Sequence, residues 1–278
     1  MIGRINRGLT PWLGWIVPAV LVAGVVTVLA GFVAYQNRSL GVHSEWSGYV
    51  LMAVFLSLAA FNVRKRLPAP PLVSARTWLR LHVSLGVGGF FIFLLHTGSL
   101  WPTGLYEQVL ALLVYIVSLS GLLGMLLQLY VPRRLAQIPE EFIYERIPTL
   151  VAEMREQAEA QVLVATCRDQ GDTLGRYYLE TLAWFFQRPR FALSHVLGDR
   201  KGQAWLETRI AAISQYLNDE GREHLARIHA IGVRKNDLDA HYALQRLLKL
   251  WLFIHVPLAT GLLFLGVWHW LVVNIYVL

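Results

Sequence analysis

The chain has 278 residues, of which 55% are hydrophobic and only 15% are charged, a balance typical of membrane proteins. The formal net charge of +7 does not indicate a nucleic-acid partner, because the basic residues cluster beside apolar segments, where they orient membrane proteins. The single cysteine, Cys167, excludes an internal disulfide framework, a cysteine-based zinc site and a cysteine-ligated iron–sulfur cluster within this chain.

Five stretches lack Asp, Glu, Lys and Arg over about the 20 residues that a membrane-spanning helix needs. They are Pro11–Gln36, Trp46–Val63, Leu81–Tyr106, Gln108–Pro132 and Leu250–Leu278. The first has an apolar run longer than that of a signal peptide, and we interpret it as a retained helix. The sequence therefore predicts an all-α membrane protein with five transmembrane helices.

The basic residues predict how these helices are oriented. They precede the first segment, separate the second from the third and follow the fourth, at Arg4, Arg7, Arg64, Lys65, Arg66, Arg76, Arg80, Arg133 and Arg134. By the positive-inside rule these connections are cytoplasmic, and the connections that alternate with them are periplasmic. We therefore expect a multi-pass protein of the bacterial inner membrane, with its N-terminus in the cytoplasm and its C-terminus in the periplasm.

The segment between the fourth and fifth predicted helices is too long for a simple loop. Helical patterning is present in Thr149–Gln161, Thr173–Gln187 and Ala204–Leu217, and we find no phosphate-binding glycine loop, nucleotide fingerprint or metal motif. We predict three parts: helices one to four in residues 1–132, a helical cytoplasmic insertion in residues 133–248, and a fifth helix in residues 249–278 that completes the bundle.

Four of the nine histidines lie in the predicted spans, as two pairs with an equal separation of 14 residues: His82 and His96, and His255 and His269. Fourteen residues are close to four helical turns, so each pair lies on one face, with about 21 Å between its members. Both helices are predicted to run from cytoplasm to periplasm, which places His82 level with His255 and His96 level with His269. A hydrogen bond to a neighbouring helix explains one such histidine but not the duplicate spacing. The quartet favours axial ligation of two stacked haem irons.

Two further residues are candidates for haem contacts. Gly89, midway between the two histidines of the third segment, leaves room for flat macrocycles, with close helix packing as the alternative. Arg80, just before His82, is a candidate partner for a haem propionate, although positive-inside bias explains it equally well. His241 lies 14 residues before His255 but has no facing histidine on the third segment, so we do not assign a third haem.

The H-x13-H pairs on two helices are similar to those of di-haem membrane cytochromes b, including the ferric-reductase-like transmembrane group, over Arg80–His96 and His255–His269. The stretches SGLLGMLLQLYVPRRL, EEFIYERIP and LQRLLKLWLFIHVPL also resemble a bacterial cytochrome b-type family. The resemblance implies two bis-histidine haems b and electron transfer to or from a quinone or another redox protein. Because no flavin and nicotinamide domain follows the last helix, we expect a subunit rather than a self-contained ferric reductase.

We therefore expect an electron-transfer subunit of a respiratory or redox complex in the lipid membrane, with no catalytic residue of its own. The expected redox partners are a multihaem cytochrome or an iron–sulfur protein, with quinone as a further candidate. One alternative is a transporter whose intramembrane histidines bind protons or metal ions, which predicts acidic partners within the spans, where the sequence has none. A haem-free membrane anchor is the other, and it leaves the histidine spacing unexplained.

Overall fold

The computed structural model of the protein describes residues 13–38, 44–64, 74–168 and 173–276. Over these residues the fold is all-helical, and none of them is in a strand. Several residues used in the topology prediction, Arg4, Arg7, Lys65 and Arg66, lie outside the described residues, as do the first two residues of the first predicted span.

The described residues form the following α-helices: α1 (Leu13–Arg38), α2 (Ser44–Arg64), α3 (Ala75–Thr97), α4 (Leu105–Leu135), α5 (Ile147–Arg168), α6 (Thr173–Tyr177), α7 (Ala183–Phe186), α8 (Ala192–Leu197), α9 (Lys201–Ser214) and α10 (Asp219–Tyr276). A 3₁₀ turn, Tyr144–Arg146, precedes α5. A π-helical turn, Tyr178–Leu182, joins α6 to α7.

Helices α1, α3, α4 and α10 contain apolar stretches long enough to cross a membrane. In α10 this stretch is the C-terminal part, because the helix is rich in charged residues before Leu250. The apolar part of α2, Glu45–Ala60, is shorter than the other four. The fold therefore fits a multi-pass membrane protein with four long apolar helices, and the fifth predicted span, on α2, stays a prediction.

The ends of two helices differ from the predicted spans, because local capping decides them. Helix α3 ends at Thr97 rather than continuing to Tyr106, since Gly98 adopts a left-handed conformation (φ 61°) and its N–H donates to the Leu94 carbonyl at 3.1 Å. Helix α10 begins well before Leu250, where the side chain of Asn218 accepts a hydrogen bond from the Gly221 N–H at 2.7 Å. Charge-free runs alone do not reveal such caps.

The chain divides into two compact units, which we describe separately. Unit 1 comprises Met1–Leu126 and Trp251–Leu278, and unit 2 comprises Leu127–Leu250. The three-part division predicted from the sequence, with boundaries at residues 133 and 249, depends on the side of the membrane on which each segment lies and stays a prediction.

In unit 1, α3 packs against both α1 and α2 through two adjacent glycines. A Cβ atom on Gly88 would be in contact with Val22 of α1, and one on Gly89 would lie 3.1 Å from a methyl group of Val54 of α2. Small residues at such crossings allow two helix backbones to approach closely. The contact at Gly89 is therefore close helix packing, and its predicted role in making room for a haem stays a prediction.

Unit 2 has a well-packed core of aromatic and aliphatic side chains. Its fully enclosed residues include Tyr178, Leu182, Phe185, Phe186, Leu206 and Ile228, and Trp184, Phe191 and Trp205 form an aromatic cluster beside them. Burial of large apolar side chains is the main driving force for folding in water. Unit 2 therefore has an aromatic and aliphatic core of its own.

A buried ion pair crosses the edge of this core. The Lys235 Nζ atom lies 2.6 Å from Asp239 Oδ2, and neither side chain is accessible to solvent. Lys235 also donates to the Arg188 carbonyl at 2.9 Å, and Asp239 accepts from the Arg190 N–H at 3.0 Å. Burial lowers the pKa of Lys235 and raises that of Asp239, and the attraction between the two charges opposes both shifts. The pair holds the turn at residues 188–190 against α10.

Candidate functional site

His96 of α3 and His269 of α10 face each other inside unit 1. Their ring centroids are 6.5 Å apart, and their ring planes are inclined at 85°. Two imidazoles that share one metal ion through bonds of about 2 Å have ring centroids roughly 6 Å apart. The observed separation therefore fits a single iron between the two rings.

A cavity of about 420 Å³ includes both of these histidines in its lining. Most of its wall is apolar and includes Phe55, Phe93, Leu110, Val114 and Leu262. Cofactor and ligand sites commonly have volumes of about 300–1,000 Å³ and a mostly apolar lining. The volume and lining of the cavity are thus within the range of small-molecule sites.

Two adjacent residues of α2 fix the position of His96. The Ser47 hydroxyl is buried and hydrogen-bonded to His96 Nδ1 at 3.1 Å. A partner on one ring nitrogen orients the ring and leaves Nε2 available to a metal, as in most metal-bound histidines. A Cβ atom on Gly48 would lie 3.0 Å from His96 Cε1, so a side chain at this position would crowd the ring. The sequence analysis missed both residues, whose only signal is a small Ser-Gly pair within an apolar helix.

Tyr106 of α4 stacks on the other ring of the pair. Its ring centroid is 6.0 Å from that of His269, and the two planes are inclined at 27°. The Tyr106 hydroxyl donates to the Leu265 carbonyl at 2.7 Å, which is one turn before the histidine. Tyr106 therefore restricts the orientation of the His269 ring from the side of α4.

His82 and His255 form the second pair. The two side chains are close enough to interact electrostatically. His255 Nδ1 lies 3.2 Å from the Ser120 hydroxyl of α4, and Trp251 stacks on the His255 ring at 5.2 Å. The second pair thus repeats a feature of the first, a serine hydroxyl on the Nδ1 atom of one ring.

His96 lies beside His269, and His82 lies within electrostatic range of His255. Both relations join α3 to α10 in the same order along each helix, so the two helices run parallel within unit 1. Glycine is also found beside the His255 ring, where a Cβ atom on Gly121 would lie 3.7 Å from His255 Cε1. One ring of each pair therefore lies next to a glycine, His96 next to Gly48 and His255 next to Gly121.

Arg80, the predicted propionate partner, lies in the first turns of α3. Its guanidinium carbon is 5.9 Å from the ring centroid of Trp15 in α1, a cation–π distance. This contact keeps the cation near the end of the helix that carries His82. Its predicted pairing with a propionate stays a prediction.

Two carboxylates, Glu45 and Glu107, also line the cavity beside His96 and His269. The sequence analysis placed both outside the membrane spans, because charged residues ended each predicted segment. In the described part of the chain, no three or more His, Cys, Asp or Glu side chains are grouped so that they could hold a metal ion directly.

The other described histidines are in unit 2 and make local contacts. His241 packs edge-on against Phe142 at 5.2 Å and lies 3.2 Å from the Gln245 amide, while His224 is hydrogen-bonded to Gln161. His43 lies outside the described residues.

A scan against models of protein families found no match to this chain, and searches of curated proteins and of solved structures found none either. The functional argument below therefore depends on the geometry of the two histidine pairs. The resemblance to di-haem cytochromes b stays a prediction from the sequence.

Proposed function

We propose that the chain is a di-haem b-type cytochrome subunit that transfers electrons across a bacterial inner membrane, between quinone or another redox partner and a further redox protein. One observation carries the proposal: His96 and His269 face each other at 6.5 Å beside an apolar cavity, and a second pair lies 14 residues earlier on both helices. Unrelated polar contacts would not explain why histidines recur at the same separation on both helices.

In this proposal the imidazoles of His82 and His255 ligate one iron, and those of His96 and His269 ligate the other. A haem b iron between two imidazoles supplies one-electron transfer without bond making. Ser47 and Ser120 hold two of the rings by their Nδ1 atoms, which orients the ligands and makes them more basic.

The surroundings have supporting roles in the same proposal. Most of the cavity wall is apolar, which would limit the access of water to a haem held there and so influence its potential. Arg80 would pair with a propionate of a haem near His82, and Gly89, midway between His82 and His96, would leave room for the macrocycles. No residue of the chain is assigned a bond-making role, so catalysis is left to partner subunits.

The proposed topology has five spans, including α2. This helix has 21 residues and a length of about 32 Å, which is sufficient for a hydrocarbon core about 30 Å thick. The N-terminus and the insertion at residues 133–248 are then cytoplasmic, and the C-terminus is periplasmic. A multihaem cytochrome or an iron–sulfur protein is the proposed redox partner.

The first test is a reduced-minus-oxidised absorbance spectrum with haem quantification on the purified full-length chain. We expect two haems b per chain, and we expect His96→Ala and His255→Ala each to lose a different one. His229→Ala is the matched control, because His229 is a half-buried histidine of unit 2 and its replacement should leave both haems in place. Far-UV circular dichroism checks that each variant is folded.

Two outcomes contradict the proposal. A folded wild-type chain without haem b rejects it altogether. If His96→Ala and His255→Ala abolish the same spectral component and spare the other, the pairing of His82 with His255 and of His96 with His269 is wrong.

A second candidate function is a transporter of protons or metal ions. It is favoured by the carboxylates of Glu45 and Glu107, which line the cavity together with His96 and His269. This candidate predicts ion flux in proteoliposomes that Glu107→Gln abolishes. Flux by a chain that holds no haem would support it, and haem binding without flux would exclude it.

A further inference from the structure

The short helix α8 is fixed against the end of α4, and both segments belong to unit 2. The Tyr130 hydroxyl of α4 donates to the Val196 carbonyl of α8 at 2.6 Å, and the Arg134 guanidinium lies against Gly198. Tyr130 belongs to the candidate membrane span Leu105–Leu135, close to the point at which basic residues end its apolar part. Helix α8 is therefore held level with the end of a membrane span.

The outward face of α8 is apolar. Leu193 and Leu197 are 72% and 71% exposed, and a spacing of four residues places them on the same face. Ser194 and His195 on the opposite face are buried, so the helix cannot turn its leucines inward without exposing its inner face. Single exposed leucines are common, but a paired apolar face at this level is typical of a helix that lies in the membrane interface.

Both ends of α8 have left-handed backbone conformations that fix its direction. Phe191 precedes the helix with φ 54°, and Gly198 ends it with φ 83°. This conformation is unfavourable for a residue with a Cβ atom. Phe191 packs against Trp184 and Trp205, and this contact holds the turn in place. The exposed leucines are thus presented by a fixed element rather than by a loose loop.

The surroundings of the leucines are strongly basic. Residues 130–134 and 184–201 contain six basic side chains, Arg133, Arg134, Arg188, Arg190, Arg200 and Lys201, against one acidic side chain, Asp199. Arg133, Arg188 and Arg200 are exposed, whereas Lys201 is paired with Asp199 at 3.1 Å. Cations beside an apolar helix face fit the phosphates of an anionic lipid surface.

We propose that α8 is an interfacial helix that docks on the anionic surface of the membrane next to α4, with Leu193 and Leu197 at the acyl boundary and the exposed arginines at the lipid phosphates. This inference rests on the proposed membrane placement of α4. It is independent of haem, and its test has a readout that does not involve haem.

The test places a fluorescent label on the full-length chain in vesicles of phosphatidylcholine and phosphatidylglycerol in equal amounts. Because Cys167 is the single cysteine and is exposed, a Cys167→Ser background allows one labelled thiol, at Leu193→Cys. Leu179→Cys is the matched control, since Leu179 is an equally exposed leucine of unit 2 (74%) outside α8. We expect a lipid-borne nitroxide to quench the label at position 193 more strongly than aqueous iodide does, and the opposite order at position 179.

The requirement for anionic lipid is tested by changing the lipid composition and by replacing exposed arginines. In vesicles of phosphatidylcholine alone, protection of position 193 from iodide should decrease. Arg188→Gln combined with Arg200→Gln should weaken docking by roughly five-fold for each cation removed, whereas Arg222→Gln combined with Arg227→Gln, two exposed arginines of α10, should not.

Three results overturn the inference. Equal access of iodide to positions 193 and 179 shows that α8 lies in water. Protection of position 193 from both quenchers shows that protein, from a partner or a second copy, covers the leucines. Unchanged protection in vesicles without phosphatidylglycerol shows that anionic lipid is not recognised.

Discussion

Unit 1 and unit 2 differ in which side chains they bury and which they expose. In unit 2 the largest aromatic side chains, such as Phe185 and Phe186, are fully enclosed. In unit 1 large apolar side chains point outward, as do Phe253 and Phe264 at 77% and 73% exposure, while the buried polar Ser47 lies beside a histidine pair. The hydrophobic effect in water explains the enclosed aromatic side chains of unit 2. The exposed apolar side chains of unit 1 fit a lipid environment. Polar groups inside unit 1 therefore point to function, whereas those inside unit 2 point to structure.

The largest effect is expected from the buried pair of unit 2. Lys235→Met leaves the carboxylate of Asp239 buried without its cation, and we expect a loss of about 3–5 kcal/mol in the free energy of unfolding of unit 2. The measurement is amide hydrogen exchange of α5 and α9 peptides in the detergent-solubilised full chain.

Two companion variants decide the reason for that loss. Lys201→Met removes an exposed cation and should cost at most about 1 kcal/mol. Lys235→Met combined with Asp239→Leu removes both buried charges and should recover most of the stability. If the double variant exchanges as fast as Lys235→Met alone, the unpaired charge is not the cause.

An intermediate effect is expected from pH, again in unit 2 alone. Burial, together with the nearby cations Lys235 and Arg134, lowers the pKa of His195 from 6.5 to about 4. Below pH 6.5 the unfolded state binds a proton that the folded state does not, so stability falls as the pH decreases toward 4. We expect His195 to contribute a loss of roughly 2 kcal/mol between pH 7.5 and pH 5, whereas the raised pKa of Asp239 acts in the opposite direction over the same range.

Hydrogen exchange at the two pH values, corrected for the intrinsic pH dependence of exchange, measures this loss. The difference in pH dependence between the wild type and His195→Asn isolates the contribution of His195, because the contribution of Asp239 is common to both. An equal pH dependence in His195→Asn and in the wild type would assign it to other groups.

The smallest effect is expected from the serines of unit 1. Ser47→Ala removes the Nδ1 partner of His96, and Ser120→Ala removes that of His255. Loss of a hydrogen bond worth about 1 kcal/mol should raise the midpoint potential of one proposed haem by on the order of 40 mV, because a less basic ligand stabilises the ferric iron less well. A redox titration followed by absorbance measures the shift.

Ser57→Ala is the control for this titration, because its hydroxyl donates to the Ala53 carbonyl of its own helix and should leave both potentials unchanged. If Ser47→Ala and Ser120→Ala shift the same haem, the two serines do not serve different histidine pairs.

The positions of the histidine pairs along the axes of α3 and α10 could be predicted from the sequence, because the rise and twist of an α-helix are nearly constant. Equal separations on two parallel helices must match once a single pair meets, as His96 and His269 do. The serine partners could not be predicted, since Ser47 and Ser120 lie on other helices, and only packing decides which helix faces which.

In unit 2, too, contacts between different segments could not be predicted from the sequence. The spacing of Lys235 and Asp239 is that of an ordinary surface pair on a helix, and their burial depends on the turn at residues 188–190 that covers them. Helical patterning predicted the presence of helices in this segment. The π-helical turn at Tyr178–Leu182 and the left-handed Phe191 have no comparable signal in hydrophobic spacing.

In the proposed di-haem arrangement, the glycine cap at Gly98 would bear on the direction of electron flow. It ends α3 directly after His96, so that histidine stands at the partially negative end of the helix, whereas His82 is the eighth residue of α3 and lies beyond the first turn, to which the effect of the positive end is largely confined. Of two haems with identical ligands, the one on His96 would then experience the stronger helix field. The haem beside His82 would be the easier one to reduce. An electron that enters at the haem beside His96 would therefore move to the other haem with a favourable change in potential. The redox titration described above gives the order of the two midpoint potentials.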